Sequence, residues 1–323
     1  KIQEQTNDLV LATHGRGIII VEDITPMRTI TADVAANDVV MLNTKPITLT
    51  MGKYGGQFEN AAGDWNGGIG TIIPPIQYYL KERANNLQLE VYDKDGKLVQ
   101  KLTPSNRKGY NKVAWAQRMI PPKIAKGGNQ REISGFVAPQ VLPGDYTIKM
   151  KVNGKEYNHN ISFVHENTNK DFTLEDRALQ FKTGMELYGM HEQLAILVDS
   201  ILAKQQVLKK HIDSTQNKKT KSLLEDYYGK LETLRLTLVP PVSKGTADFK
   251  RLRNDLSEVY VAVVTQEARP SNLQVQRVGF LKAEMSKAEQ QYEQLNKQFE
   301  QKAMQAIANE LMKKPAVKKS SGN

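Results

Sequence analysis

The strongest constraint on the fold is a change of hydrophobic period near Asn169. Before this residue, short apolar or alternating runs are separated by hairpin turns, which is typical of β-strands. After it, apolar residues recur every three or four positions, which is typical of amphipathic helices. A chain of 323 residues is long enough for about two or three domains. We therefore expect a multidomain protein in which an all-β part precedes an all-α part.

The helical part is predicted to be an antiparallel four-helix bundle over residues 170–314, followed by a disordered basic tail over 315–323. Its first helix opens with a capping box, Thr173–Asp176, and runs for roughly forty residues. The second helix stops before Pro240, because proline cannot continue a helix. The apolar stripe of the third helix consists of Phe249, Leu252, Leu256, Val259 and Val263.

Residues 76–166 are predicted to form a β-sandwich. One hairpin runs from Leu87 to Leu102 and turns at Lys94-Asp95-Gly96. A second hairpin runs from Leu142 to Val164 and turns at Asn153-Gly154. We interpret Asp93 and the turn after it as a hairpin rather than a calcium loop, because the chain returns at once into a strand.

A linker, residues 31–75, precedes these strands and contains a glycine-rich loop from Met51 to Gly70. Tyr54, Phe58 and Trp65 stand in this loop. They could form a platform that stacks on sugars or docks a protein, or they could only staple the loop onto the sheet. Both interpretations stay open at this point, since long ordered loops are often functional.

The first thirty residues contain two apolar runs, Leu9–Leu11 and Ile18–Val21, joined by a turn at Gly15 and Gly17. Continuous apolar runs indicate strands that are covered on both faces. Two strands alone are marginally stable in water. We expect residues 1–30 to complete a larger sheet.

Composition excludes several classes of function. The net charge of +10 is spread along the chain without a basic patch that carries aromatic residues, so we do not expect nucleic-acid binding. No window is apolar enough for a membrane span. Cysteine is absent, which excludes disulfides and thiolate metal sites. The chain starts at Lys1 without a signal-like segment, and we expect a mature form or a fragment.

Candidate chemistry is sparse, and we predict no catalytic residue, metal site or cofactor. His14 and Arg16 could contact a ligand, but Gly15 and Gly17 already account for the turn, so a structural role is favoured. The adjacent acids Glu22 and Asp23 would point to opposite faces of a strand and would not converge on one substrate atom. Motifs for nucleotide binding or for an activated serine are absent from the sequence.

Several motifs, in this order, resemble the C-terminal region of bacterial BNR/sortilin-type β-propeller proteins, which are similar to glycosyl hydrolases. The first two belong to the closing-blade segment of the propeller, the third is a strand that follows the propeller, and the others belong to a FlgD/fibronectin-like sandwich, which a helical C-terminal domain follows. The residues are Asn7–Ile18, Glu22–Pro26, Tyr78–Glu82, the hairpin residues Asp93, Gly96 and Val99, then Asn111, Val113 and Trp115, and finally Pro143–Ile148.

The resemblance implies that residues 1–30 are the closing strands of a propeller whose other blades lie elsewhere, in the same chain or in a separate one. It implies an extracytoplasmic location in the periplasm, at the cell surface or outside the cell. The expected function is that of a non-catalytic accessory region that docks to a protein partner or to a cell-envelope glycan. The alternative is the C-terminal part of a glycoside hydrolase whose active site lies in the missing blades. A third interpretation is a helical scaffold within a larger assembly.

Overall fold

The structure is a computed structural model that describes residues 1–4, 7–42, 45–49, 75–128, 132–165, 171–241 and 251–313. The chain divides into two compact units. The first unit comprises Lys1–Ile120, Ala138–Phe181 and Thr265–Arg269. The second unit comprises Pro121–Val137, Lys182–Val264 and Pro270–Asn323. The expected combination of β-sheets and helices is confirmed.

A small antiparallel sheet, here called the terminal sheet, opens the first unit. Its strands are β1 (Ile2–Gln3), β2 (Asp8–Ala12) and β3 (Ile18–Val21), in the order β1-β2-β3. The two apolar runs of the sequence are therefore neighbouring strands, as predicted. Two short helices follow, α1 (Thr25–Arg28) and α2 (Ala32–Ala36).

Two larger sheets make up most of the first unit. One has five strands in the order β5-β11-β10-β7-β8, and the other has three strands in the order β4-β6-β9. Side chains from both sheets belong to one buried core, which includes Tyr78, Leu80, Val91, Ile148 and Phe163. The strand bounds are β4 (Val39–Met41), β5 (Ile47–Leu49), β6 (Ile76–Leu80), β7 (Leu87–Tyr92), β8 (Leu98–Leu102), β9 (Gly109–Val113), β10 (Gly144–Val152) and β11 (Lys155–His165).

Both predicted hairpins are confirmed. Strands β7 and β8 pair antiparallel, and the Asp93 carboxylate accepts hydrogen bonds from the amides of Asp95 (3.0 Å) and Lys97 (2.9 Å). This carboxylate therefore closes the turn. Strand β10 pairs over its whole length with β11 around Asn153 and Gly154, whose φ angles of 49° and 90° suit a two-residue hairpin turn.

The helices of the second half are α3 (Leu174–Ser214), α4 (Lys218–Leu238), α5 (Leu252–Thr265) and α6 (Asn272–Lys313). The predicted capping box at the start of α3 is confirmed. The Asp176 amide donates to the Thr173 hydroxyl (3.2 Å), and the Asp176 carboxylate accepts from the Thr173 amide (3.0 Å). These bonds satisfy backbone donors that a helix start otherwise leaves unpaired.

Helices α3 and α6 run in the same direction in the second unit. The Lys204 ammonium donates to the Asn296 side chain (2.8 Å), and about three turns further along, just after the end of α3, the Thr215 hydroxyl donates to the Glu310 carboxylate of α6. Because both residue numbers rise together from the first contact to the second, the helices are parallel. The sequence pattern predicted an antiparallel bundle of four helices, and this bundle as such stays a prediction.

Helices α4 and α5 both run against α3 and α6. Gln205 of α3 donates to Glu232 of α4, and Tyr227 of α4 donates to Asn296 of α6 (2.6 Å). In α5, the Tyr260 ring lies 5.2 Å from the ring of His191 on α3. Helix α4 thus lines the C-terminal half of α3, and α5 lines the N-terminal half. One continuous core joins the four helices, and it includes Leu194, Val198, Leu231, Leu256 and Leu281.

The described residues between 121 and 137, which are 121–128 and 132–137, belong to the helical unit and are here called the strap. Its described residues contain one 3₁₀ turn, Ile133–Gly135. Backbone carbonyls of the strap accept hydrogen bonds from the side chains of Arg253 and Tyr260 in α5. None of the helices in the described ranges combines the length and the apolar character of a membrane span.

Candidate functional site

The terminal sheet exposes apolar side chains on both faces. Ile18 is 72% exposed and Ile20 is 59% exposed, and both lie on one face because side chains alternate along a strand. Ile19 and its cross-strand partner Leu11 are exposed on the other face. Strand β3 is an edge strand among the described residues. A sheet with two apolar faces and an edge strand is typical of a surface that pairs with another element.

The two candidate residues of the terminal sheet lie in its β2–β3 turn, and both His14 and Arg16 are exposed. The turn is closed by Thr13, whose amide (3.1 Å) and hydroxyl (2.7 Å) both donate to the carbonyl of Gly17. Gly15 and Gly17 have φ angles of 81° and 73°, a region that favours glycine. The backbone and the Thr13 hydroxyl therefore build the turn without His14 or Arg16, and a ligand contact by either of these side chains stays a prediction.

The sheet is tied to the chain that follows it. The Asp8 carboxylate accepts from the Asp23 amide (2.8 Å), and the Asn7 carbonyl accepts from the Ile24 amide (3.0 Å). Asn7 also donates through its side chain to the Thr25 hydroxyl (3.1 Å). These bonds fix β3 at its C-terminal end while its apolar side chains stay exposed. The predicted aromatic platform of Tyr54, Phe58 and Trp65 lies outside the described residues.

A second candidate site, which the sequence did not reveal, is a cleft of about 400 Å³ in the helical unit. It lies between the strap and the start of α5, and we call it the Arg253 cleft. A volume of this size is in the range of pockets that hold small molecules. The residues that line it are Pro122, Ile124, Ala125, Lys126, Gly127, Glu132, Gly135, Phe136 and Arg253.

Arg253 is one of the charged residues that line this cleft, and it is only 4% exposed. Its Nη1 donates to the carbonyls of Ala125 (3.1 Å) and Gly127 (2.7 Å). Its Nε lies 3.4 Å from the Glu132 carboxylate but makes no hydrogen bond within the described residues. The guanidinium is therefore held in place by backbone oxygens while some of its donors stay unused.

Other polar groups are buried close to Arg253 on the same helix. The hydroxyls of Ser257 and Ser134 lie 2.7 Å apart, and the Tyr260 hydroxyl donates to the Val137 carbonyl (3.1 Å). Arg253, Ser257 and Tyr260 recur at positions i, i+4 and i+7, so they share one face of α5. This polar face holds the strap, which explains how a segment without regular structure is ordered there.

His191 is a further buried polar residue and faces this group from α3. It is fully buried, and neither ring nitrogen has a hydrogen-bond partner within the described residues. Burial, with a smaller effect of the Arg253 charge, lowers the pKa of His191 to about 3 from 6.5. The imidazole is therefore neutral at physiological pH. No group of three or more His, Asp or Glu side chains that could hold a metal is present in the part of the chain described.

The sequence carried a partial signal for this site. The apolar stripe predicted for the third helix leaves Arg253, Ser257 and Tyr260 beside it, and His191 lies within the apolar stripe of the first helix. Polar residues that interrupt or border an apolar stripe indicate a buried polar group. What they contact could not be inferred, because the strap lies more than a hundred residues away in the chain.

Comparison of the chain with protein-family models, with curated proteins and with solved structures finds no match in any of the three.

Proposed function

We propose that the chain is a non-catalytic accessory and docking region of an extracytoplasmic, sortilin-like β-propeller protein. The observation that carries the proposal is the terminal sheet with its two exposed apolar faces. In this proposal the terminal sheet joins the remaining blades, which belong to the same chain or to a separate one. The two larger sheets act as a sandwich, and the four helices act as a bundle.

Apolar side chains that are exposed to water become more favourable in free energy when they are buried. Each isoleucine side chain that is moved from water into a protein interior stabilises the complex by about 1.5–3 kcal/mol. Ile18, Ile19 and Ile20 are all exposed in this chain. A short sheet that exposes three consecutive isoleucines is stabilised when blades cover its faces and a strand pairs with its edge. The resemblance of Asn7–Ile18 to a closing-blade segment agrees with this requirement.

The docking role extends beyond the propeller. A protein partner or a cell-envelope glycan would be bound by surfaces of the accessory region, including the turn that carries His14 and Arg16. Both side chains are exposed, so they are available to a ligand at the rim of a closed propeller. The guanidinium of Arg16 and the imidazole of His14 would donate hydrogen bonds to hydroxyl or carboxylate groups.

The experiment is an intact-mass measurement with peptide mapping on the natural protein, purified from its source under native conditions. The chain described here has a mass of 36.3 kDa. We expect a protein about two to three times as large, or a separate propeller chain that co-purifies, because a propeller contains several four-stranded blades. A mass near 36.3 kDa without a co-purifying chain would contradict the proposal.

A further inference from the structure

The Arg253 cleft combines features that point to a ligand independently of the terminal sheet. It is open enough for a small molecule, and its central side chain is a buried arginine. Taking a guanidinium out of water costs free energy unless its donors find acceptors. Two backbone carbonyls supply part of that compensation at Nη1. The Nε donor lacks a hydrogen-bond acceptor among the described residues, but it is enclosed beside Glu132, so Nη2 is the donor left for a ligand.

The position of the guanidinium is fixed before any ligand binds. The carbonyls of Ala125 and Gly127 hold Nη1, and Gly128 packs near Nη2, since a Cβ built on Gly128 would lie 3.6 Å from that nitrogen. A fixed arginine loses little conformational entropy when it binds an anion. The Nη2 donors that remain can donate to a carboxylate oxygen.

The charges along the cleft select the charge of the ligand. Lys126 and Arg253 are positive and Glu132 is negative, so the ionisable residues that line the cleft carry one net positive charge. Glu132 lies 3.4 Å from Arg253 Nε and would repel a second negative charge placed beside the guanidinium. A monoanion therefore fits this cleft better than a dianionic phosphate.

The walls of the cleft select the body of the ligand. The Phe136 ring is 62% exposed, and Ile124 and Pro122 line the same space. An exposed aromatic ring beside a charged anchor suits a molecule with an apolar or aromatic group next to its charge.

We propose that the Arg253 cleft binds a small organic monoanion, a carboxylate that carries an apolar or aromatic group. The carboxylate accepts from Nη2 of Arg253, and the apolar group packs on Phe136. The bound anion would neutralise the net positive charge of the cleft. This inference does not depend on the propeller proposal, because all of its residues lie in the helical unit.

The test uses the full chain and two probes that differ only in charge, 3-phenylpropionate and its neutral amide, 3-phenylpropionamide. Binding is measured by ligand-observed saturation-transfer NMR and by calorimetric titration. We expect the acid to bind at least about tenfold more tightly than the amide, since a hydrogen bond to a charged group is worth about 1.5–3 kcal/mol. Equal binding of the two probes, or no binding of either, would overturn the proposal.

Two variants locate the site. Phe136→Ala removes the exposed ring and should weaken binding of the acid about fivefold or more. The matched control is Ile133→Ala, because Ile133 is 58% exposed in the same segment but does not line the cleft. It should leave binding unchanged. If both variants weaken binding equally, or if neither does, the acid does not occupy this cleft.

Glu132→Gln tests the charge argument and preserves the shape of the side chain. Removing the repelling charge should tighten binding of the acid severalfold and leave the amide unaffected. Thermal unfolding of the variant, measured without probe, separates this effect from a loss of the Glu132–Arg253 ion pair. Weaker binding of the acid by a variant of normal thermal stability would contradict the proposed position of the carboxylate.

Discussion

His191 is a fully buried polar residue of α3 that faces α5. Its ring packs edge-on against Tyr260, and its two nitrogens lack partners within the described residues. A buried polar group without partners destabilises the folded state by about 1–3 kcal/mol. The imidazole is neutral at this site, because burial lowers the pKa of His191 to about 3.

We predict that this histidine makes the helical unit sensitive to acid. Between pH 6.5 and about 3, the unfolded chain binds a proton at His191 and the folded chain does not. The free energy of unfolding therefore falls as pH falls through this range, by up to roughly 1.4 kcal/mol per pH unit. Urea unfolding, followed by circular dichroism at several pH values, measures this slope.

His191→Leu should remove that component of the slope. It should also leave stability at pH 7 equal or increased, because an apolar group of similar size replaces two unpaired polar atoms. His211→Leu is the matched control, since His211 lies near the end of the same helix and is only half-buried. An unchanged slope in His191→Leu would show that other groups cause the acid sensitivity.

Arg177 is a buried residue of a different kind, because its donors are used. Nε donates to Nδ1 of His165 (3.1 Å), Nη1 donates to Gln140, and Nη2 pairs with Glu267 (3.2 Å). Nε2 of His165 lies 3.1 Å from the Phe172 carbonyl. Nε2 must therefore carry the proton of this histidine, which leaves Nδ1 free to accept from Arg177.

Arg177→Met should destabilise the first unit by about 2–4 kcal/mol, because it leaves these partners without their donor. The matched control is Arg269→Met. Arg269 is largely exposed and pairs with Asp176 at 2.6 Å, and its loss should cost less than about 1 kcal/mol. Chemical denaturation of both variants at pH 7 gives the comparison. Similar losses in both would contradict the assignment of Arg177 as the buried anchor.

At the scale of elements, the start of α3 depends on one side chain. The Thr173 hydroxyl accepts from the Asp176 amide and donates to the Asp176 carboxylate (2.8 Å). Hydrogen bonds from Arg269 and Thr173 lower the pKa of Asp176 to about 2. The carboxylate therefore stays charged in the folded protein until the pH falls to about 2, whereas its ordinary pKa is 3.8. Negative charge is favourable at this position because it is the N-terminus of a helix.

Thr173→Ala should lower the free energy of unfolding by about 1 kcal/mol, the usual cost of losing a cap. Thr233→Ala is the control, because the Thr233 hydroxyl bonds the Gly229 carbonyl within the exposed middle of α4 and caps no helix. Alanine favours a helix interior, so this control should be neutral or slightly stabilising. The measurement is urea unfolding at pH 7. Equal effects of the two variants would mean that the cap contributes no stability.

Elements with local causes could be predicted from the sequence. The hairpin turn at Asn153-Gly154 needs φ angles above zero, and asparagine and glycine accept them most readily. The Thr173–Asp176 box depends on residues only three apart. The strap could not be predicted, because its order depends on Arg253 and Tyr260, whose side chains reach its carbonyls from a distant part of the chain.

At the scale of the whole molecule, the direction of the helices also depends on distant contacts. Short connections predict antiparallel neighbours. The spacing of apolar residues along each helix does not determine which helices are neighbours in the folded protein. Lys204 contacts both Asn296 and Glu300 of α6, and these polar pairs set the parallel register. They become visible only when the helices are in place, so the sequence pattern identified the helices but not the direction of α6 against α3.

The terminal sheet carries the last prediction, which concerns association of the chain when no propeller is present. The isolated chain should associate through β3, because exposed isoleucines on an edge strand favour pairing with another copy. We expect Ile18→Thr combined with Ile20→Thr to reduce this association, since threonine keeps the strand preference and removes apolar area. The control combines Ile196→Thr with Val207→Thr, two exposed residues of α3 that lie on a helix without a free edge. Light scattering over a range of concentrations measures the average mass. If both double variants associate like the original chain, the terminal sheet does not mediate association. Its exposed isoleucines would then no longer support the docking proposal.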